Sequence, residues 1–132
     1  MSVEFELNGT DMILNRLEQM GKASSRIEKK ALTEGATVII DEAKNLLEQH
    51  GNIRTGKLQE GLSVSKLKRK GNKKYVQAGI QKGDNSNIFY GKFLEWGSSK
   101  MTARPFLGPA YLRKKDEAKN IIINTLKEGL GL

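Results

Sequence analysis

The sequence has no cysteine, only two prolines, and a single histidine and a single tryptophan in 132 residues. Without cysteine there is no disulfide and no thiolate metal ligand, which suits a reducing compartment. One histidine, His50, leaves a zinc site short of its usual three or four ligands. It also lies at a predicted helix end with nothing to position it, so a Ser-His-Asp or Cys-His set has no basis; His50 reads as a helix-end or solvated side chain. No apolar run reaches the ~20 residues that cross a bilayer. Met1-Ser2-Val3-Glu4-Phe5-Glu6 lacks the basic-then-apolar form of a secretory signal. The expectation is a soluble protein made inside the cell, with no metal and no cofactor, forming one domain over 1–132 because this length supports one core and not two.

What is present is unevenly placed. The net charge is +8, yet the segment from Arg54 to Lys74 alone carries +7, with eight basic residues against Glu60. The remainder is nearly neutral. A localised basic arm favours a polyanion or an acidic protein surface. Aromatics cluster too: five of the eight, Phe89, Tyr90, Phe93, Trp96 and Phe106, fall within 89–110, together with both prolines, Pro105 and Pro109. Aromatics favour defined pockets and prolines fix the backbone, so this segment is rigid by composition.

Along the chain, Val3, Phe5 and Leu7 alternate with Glu4 and Glu6, the pattern of a half-buried strand. Asn8-Gly9 ends it, and a short helix capped by Thr10 or Asp11 is expected over 11–20. Ser25-Arg26-Ile27-Glu28 has capping-box spacing, so a long helix is expected from Ser25 to His50. Ile27, Ala31, Val38, Ile39, Ala43, Leu46 and Leu47 mark its buried face. Gly35 interrupts that face, at a cost of roughly 1 kcal/mol against alanine. Gly51-Asn52 stops the helix, and Thr55-Gly56-Lys57-Leu58 has the form of a cap and one turn. Two antiparallel strands, 62–70 and 73–80, are expected, with Leu62, Val64 and Lys66 on one side and a turn at Gly71-Asn72. A polar loop over 81–87 leads to a helix over 88–96, closed by Gly97. After a second loop, Pro109 suits the first turn of a last helix burying Tyr111, Ala118, Ile121, Ile122, Leu126 and Leu130. Strands and helices without repeated strand–helix–strand alternation make this an α+β fold. It is a small antiparallel sheet with a long basic hairpin, covered on one face by the long central helix and the C-terminal helix.

Catalytic constellations are absent. Asp41, Glu42 and Glu48 are the best candidates for paired acids but sit on a charge-rich helix, which reads as a solvated face; a small hydrolase using Asp41, Glu42 or His50 meets few requirements of a catalytic site. Gly79 and Gly83 near a strand end lack the P-loop lysine and hydroxyl residue, which argues against nucleotide binding. The hairpin tip places Lys66, Lys68, Arg69, Lys70, Lys73 and Lys74 within nine residues. Two readings stay open. Lysines protect strand edges from pairing; alternatively, the tip contacts phosphates non-specifically and in a salt-sensitive way. Phe89, Phe93 and Trp96 are expected to fill the core. Arg104, before Pro105, is held extended, and Glu95 is its natural bidentate partner.

Tyr90-x4-Glu95-Trp96-Gly97-Ser98 followed by Ala103-Arg104-Pro105-Phe106-Leu107-x-Pro109-Ala110 resembles the tail-component proteins of long-tailed bacteriophages, the head–tail joining or tail-completion group. Arg54-Thr55-Gly56-Lys57-Leu58 is similar to that family's Thr-Gly-x-Leu element, placed before a basic or polar hairpin. The likeness runs from about residue 25 to residue 125; Gly91 departs from it, many members carrying alanine there. The resemblance implies a non-enzymatic structural protein of a phage or prophage virion, made in the host cytoplasm and located in the neck or tail. It implies a ring of copies, hexameric in the virion, at the head–tail junction through which DNA passes, meeting connector and tail-terminator or tail-tube proteins and no membrane. Glu95, Trp96, Arg104, Pro105 and Phe106 would form the docking loop, with the hairpin lysines facing DNA in the lumen or a neighbouring subunit. The other reading is a non-specific nucleic-acid-binding module using hairpin 66–74.

Overall fold

The alternating N-terminal segment forms strand β1 (Ser2–Leu7) in the computed structural model, which describes residues 2–7, 22–50, 53–71, 73–100 and 102–131. The helix expected over 11–20 lies outside the described residues, as do Gly51, Asn52 and Asn72 and the side chains of His50, Arg54, Thr55 and Lys73. The order continues with α1 (Lys22–His50), α2 (Ile53–Gly61), β2 (Leu62–Val64), β3 (Lys68–Lys70), β4 (Lys73–Ile80), α3 (Asn85–Trp96) and α4 (Leu107–Gly129). This is the α+β arrangement expected: a small antiparallel sheet packed against a long central helix and a C-terminal helix.

Strand β4 is the centre of the sheet, with β1 on one side and β2 and β3 on the other, all antiparallel. Its residues Val76, Ala78 and Ile80 point to the core and are buried. Their register partners Phe5, Val3 and Leu62 extend the same apolar face across three strands. The opposite face is polar. Gln77 donates to Glu4 Oε1 at 3.2 Å and accepts from Lys68 Nζ at 2.9 Å, a polar ladder across three strands.

The strand expected over 62–70 is broken. Val64 lies opposite Ala78 and Lys68 opposite Tyr75, so three residues, 65–67, face two, Val76 and Gln77. This is a β-bulge, one extra residue that bends the strand and reverses its alternation. Ser65 bridges the defect: its N–H donates to Gln77 O at 2.9 Å and its Oγ accepts the Gln77 N–H at 2.8 Å. Because of the shift, Leu67 packs against the core and Lys66 is exposed, contrary to the expected grouping of Lys66 with Leu62 and Val64.

Helix α1 starts three residues before the expected cap, so Ser25 lies inside it. Glu28 does not close a capping box; it is 2% exposed and paired with Lys74 Nζ at 2.6 Å. Helix α4 runs antiparallel to α1. Arg113 meets Glu42 at 3.3 Å near one end, Thr125 Oγ1 donates to Glu34 at 3.0 Å further along, and Gly129 lies against Ile27. Between these pairs, a Cβ on Gly35 would stand 2.6 Å from Ile122 Cγ1 and 3.1 Å from the Ala118 carbonyl oxygen. The glycine that interrupts the apolar face of α1 is therefore a place where α4 packs with no room for a side chain. Phe5 and Tyr111, 6.3 Å between ring centroids, tie α4 to β1.

Candidate docking site

Helix α3 begins at Asn85, three residues before expectation, and ends at Trp96. Gly97, at φ 74°, takes the left-handed conformation that glycine adopts without a Cβ clash, and its N–H donates to Phe93 O at 2.8 Å. The helix buries Gly91 and Leu94, with Ile88 and Tyr90 partly buried beside them. At 100° per residue this leaves Phe89, Phe93 and Trp96 together on the opposite side. They are 65%, 36% and 68% exposed. The expectation that these three fill the core is therefore wrong. Helical spacing identifies an aromatic stripe but not which way the helix is turned, and here the smaller residues face inward. Phe89 and Phe93 stack edge to face, 4.8 Å between centroids.

The connector from α3 to α4 folds back on the end of α3. Arg104 N–H donates to Leu94 O at 2.7 Å. Glu95, in the last turn of α3, then reaches the start of α4. Its Oε1 accepts the N–H of Leu107 at 2.8 Å and of Phe106 at 3.2 Å, and its Oε2 accepts that of Gly108 at 3.3 Å. A helix N-terminus leaves four backbone donors without intrahelical partners. Here Glu95 takes three, and the fourth position is Pro109, which has no N–H. The first internal bond, Ala110 N–H to Phe106 O at 3.2 Å, follows. Phe106 offers no side-chain cap of its own, so a carboxylate from the preceding helix replaces it. Negative charge there is also favoured by the helix dipole.

This geometry corrects two expectations. Glu95 does not pair with Arg104; its oxygens are directed at backbone amides, and Arg104 is exposed. Phe106 is fully buried, with Leu107 and Ala110 beside it in the core, so it anchors the connector and presents nothing to a partner. Thr102, Ala103, Arg104 and Pro105 form the exposed span. Of the five docking-loop residues named from the sequence, Trp96, Arg104 and Pro105 lie at the surface, while Glu95 and Phe106 hold them in place.

The basic hairpin divides by face. Arg69 and Lys74, register partners, reach toward α1: Lys74 pairs with buried Glu28, and Arg69 Nη2 donates to Ser25 Oγ at 3.4 Å. Lys68 is held by Gln77. Lys66 and Lys70 are exposed. Two of the six basic residues, Arg69 and Lys74, thus attach the hairpin to α1. Sequence reasoning missed the anchoring role of Glu28 because its partner lies far along the chain, and a local capping pattern explained it equally well.

The Thr-Gly-x-Leu element lies in α2. Leu58 is fully buried, Gln59 Nε2 donates to Lys44 O at 2.8 Å, and Asn87 Nδ2 donates to Lys57 O at 3.2 Å. It joins α1, α2 and α3. Asp41 and Glu48 are exposed on α1, and Glu42 is engaged by Arg113. Among the described residues there is no group of three or more His, Cys, Asp or Glu able to hold a metal, and no helix long and apolar enough to cross a membrane.

A family model described as "Bacteriophage HK97-gp10, putative tail-component" matches residues 11–97, well over half the chain. The match takes in the Thr-Gly-x-Leu element, the hairpin, the aromatic stripe and Glu95, and stops before the connector and α4. No curated relative and no solved structure matches the chain. The chain belongs to the HK97-gp10-like family of bacteriophage tail components.

Proposed function

We propose that this tail component is a non-enzymatic assembly protein of the virion neck, made in the host cytoplasm and built into a ring at the head–tail junction through which DNA passes. Copies would pack heterologously, as ring closure requires, and the ring would meet connector proteins on one side and tail-terminator or tail-tube proteins on the other. The observation that carries the reading is the connector lock. Glu95 and buried Phe106 hold Trp96, Arg104 and Pro105 at the surface in one geometry, and preorganisation of that kind lowers the ordering cost of docking. Arg104→Ala is the test. Its side chain is exposed, so the variant keeps its fold while tail joining or ring assembly fails. Full assembly with Arg104→Ala removes this role.

A second reading, non-specific nucleic-acid binding, is favoured by the exposure of Lys66, Lys68 and Lys70 on one arm. Titration of the isolated protein with duplex DNA over a salt series separates the two. A binding module loses affinity with a log–log slope of about 0.9 per phosphate neutralised, whereas a ring component binds weakly as a single subunit.

A further inference from the structure

The aromatic stripe on α3 is larger than fold stability requires. Phe89, Phe93 and Trp96 expose on the order of 350 Å² together, taking about 200 Å² for a whole aromatic side chain. A patch of that size is in the range of the largest that a soluble monomer exposes, and such patches are often functional. The charged side chains that α3 and the connector expose are basic. Lys92 lies at one edge of the stripe, about 40° around the helix from Trp96 and about 60° from Phe89 at 100° per residue, and Lys100 and Arg104 follow in the chain after the helix, all exposed. Between Asn85 and Pro105 the one carboxylate is Glu95, whose oxygens are taken by the amides of α4. The patch is therefore apolar in the middle and basic at the rim.

We infer that the stripe seats an apolar pocket rimmed by carboxylates on a different virion protein, with Trp96 and Phe89 as the inserted anchors and Lys92 and Arg104 pairing at the edge. Two observations disfavour pairing of the stripe with the same stripe on a second copy. Packing stripe on stripe about a two-fold axis would set basic rim against basic rim, and like charges across an interface disfavour it. The stripe is also less than half of the about 800 Å² per partner that a stable interface covers, so it holds only as part of a contact whose rim is complementary. Tryptophan and arginine, both exposed here, are residue types enriched in binding hot spots. The inference deepens the docking role proposed above and rests on it.

The test measures binding of the purified protein to phage tails assembled without this chain, at low and high salt. Trp96→Ser and the double variant Phe89→Ser/Trp96→Ser lower affinity at least tenfold with the unfolding midpoint unchanged. Lys92→Glu also weakens binding, and wild-type binding weakens as salt rises. Equal binding by the aromatic variants, with Arg104→Ala binding lost, overturns the stripe and leaves the docking loop standing. Failure of the wild type to bind tails overturns the docking role itself. Tighter binding by Lys92→Glu overturns the acidic rim, and this arm also decides the matter if an aromatic variant unfolds. Sedimentation of the purified protein completes the test: a concentration-dependent oligomer, dimer or ring, that Trp96→Ser abolishes makes the occupant a second copy and overturns the inference.

Discussion

Glu95 Oε1 accepts the backbone N–H of Leu107 at 2.8 Å, so the last turn of one helix caps the first turn of the next. Removing that carboxylate exposes the free donors of α4. Glu95→Ala costs about 1–2 kcal/mol, the size of a lost N-cap, read as a lower urea midpoint. Glu95→Gln keeps an acceptor but loses the charge and costs less, by the ~0.3–1 kcal/mol of the dipole interaction. Hydrogen exchange at Leu107 and Gly108 speeds up in Glu95→Ala; unchanged exchange there would count against the cap.

The crossing of α1 and α4 depends on the missing side chain at Gly35. Gly35→Ala gains roughly 1 kcal/mol of helix propensity, but its Cβ would stand 2.6 Å from Ile122 Cγ1. Overpacking of this kind costs about 1–3 kcal/mol, so the net effect is destabilising. In an Ile122→Ala background the clash with that side chain is gone, and Gly35→Ala becomes less harmful. Denaturation of all four members of the cycle measures the coupling, and additive effects would rule out the contact.

The pair of buried Glu28 with half-buried Lys74 fastens the hairpin to α1. Lys74→Met leaves the Glu28 carboxylate, 3% exposed, without its counter-charge. Breaking one half of such a pair costs about 3 kcal/mol, whereas replacing both by apolar residues of similar volume is close to neutral. Glu28→Leu/Lys74→Met thus recovers most of the stability that Lys74→Met loses. A double variant as unstable as the single one would refute this account.

Ser65 marks the bulge. Ser65→Ala removes the acceptor of the Gln77 N–H and costs about 1 kcal/mol, the net value of a typical hydrogen bond. The local signature is faster amide exchange at Gln77, with exchange at Val76 unaffected.

The readable parts of this chain were those set by neighbours in sequence. The strand expected over 3–7, the long helix ending at His50, the stop at Gly97 and Pro109 in the first turn of the last helix all came from periodicity and caps, and each is present, the strand as Ser2–Leu7. The candidate site was half legible. Of the five named residues, Glu95 and Phe106 meet through the Phe106 N–H, and Arg104 is tied by its backbone to Leu94, because proline and a helix end fix the path between them. Their roles were not legible. Glu95 and Arg104 are opposite charges near each other in sequence, and that alone suggested an ion pair, while the competing amides of α4 have no sequence signal.

Local chemistry determined which segments are helix or strand, where they stop, and that charge gathers in one arm and aromatics in another. Tertiary packing decided which side of α3 meets the body, which lysines are held by Glu28 and Gln77, and where one extra residue reverses the alternation of a strand. The reason is physical. Periodicity and capping are short-range properties of the backbone, whereas orientation, ion pairing and register depend on partners brought together by folding.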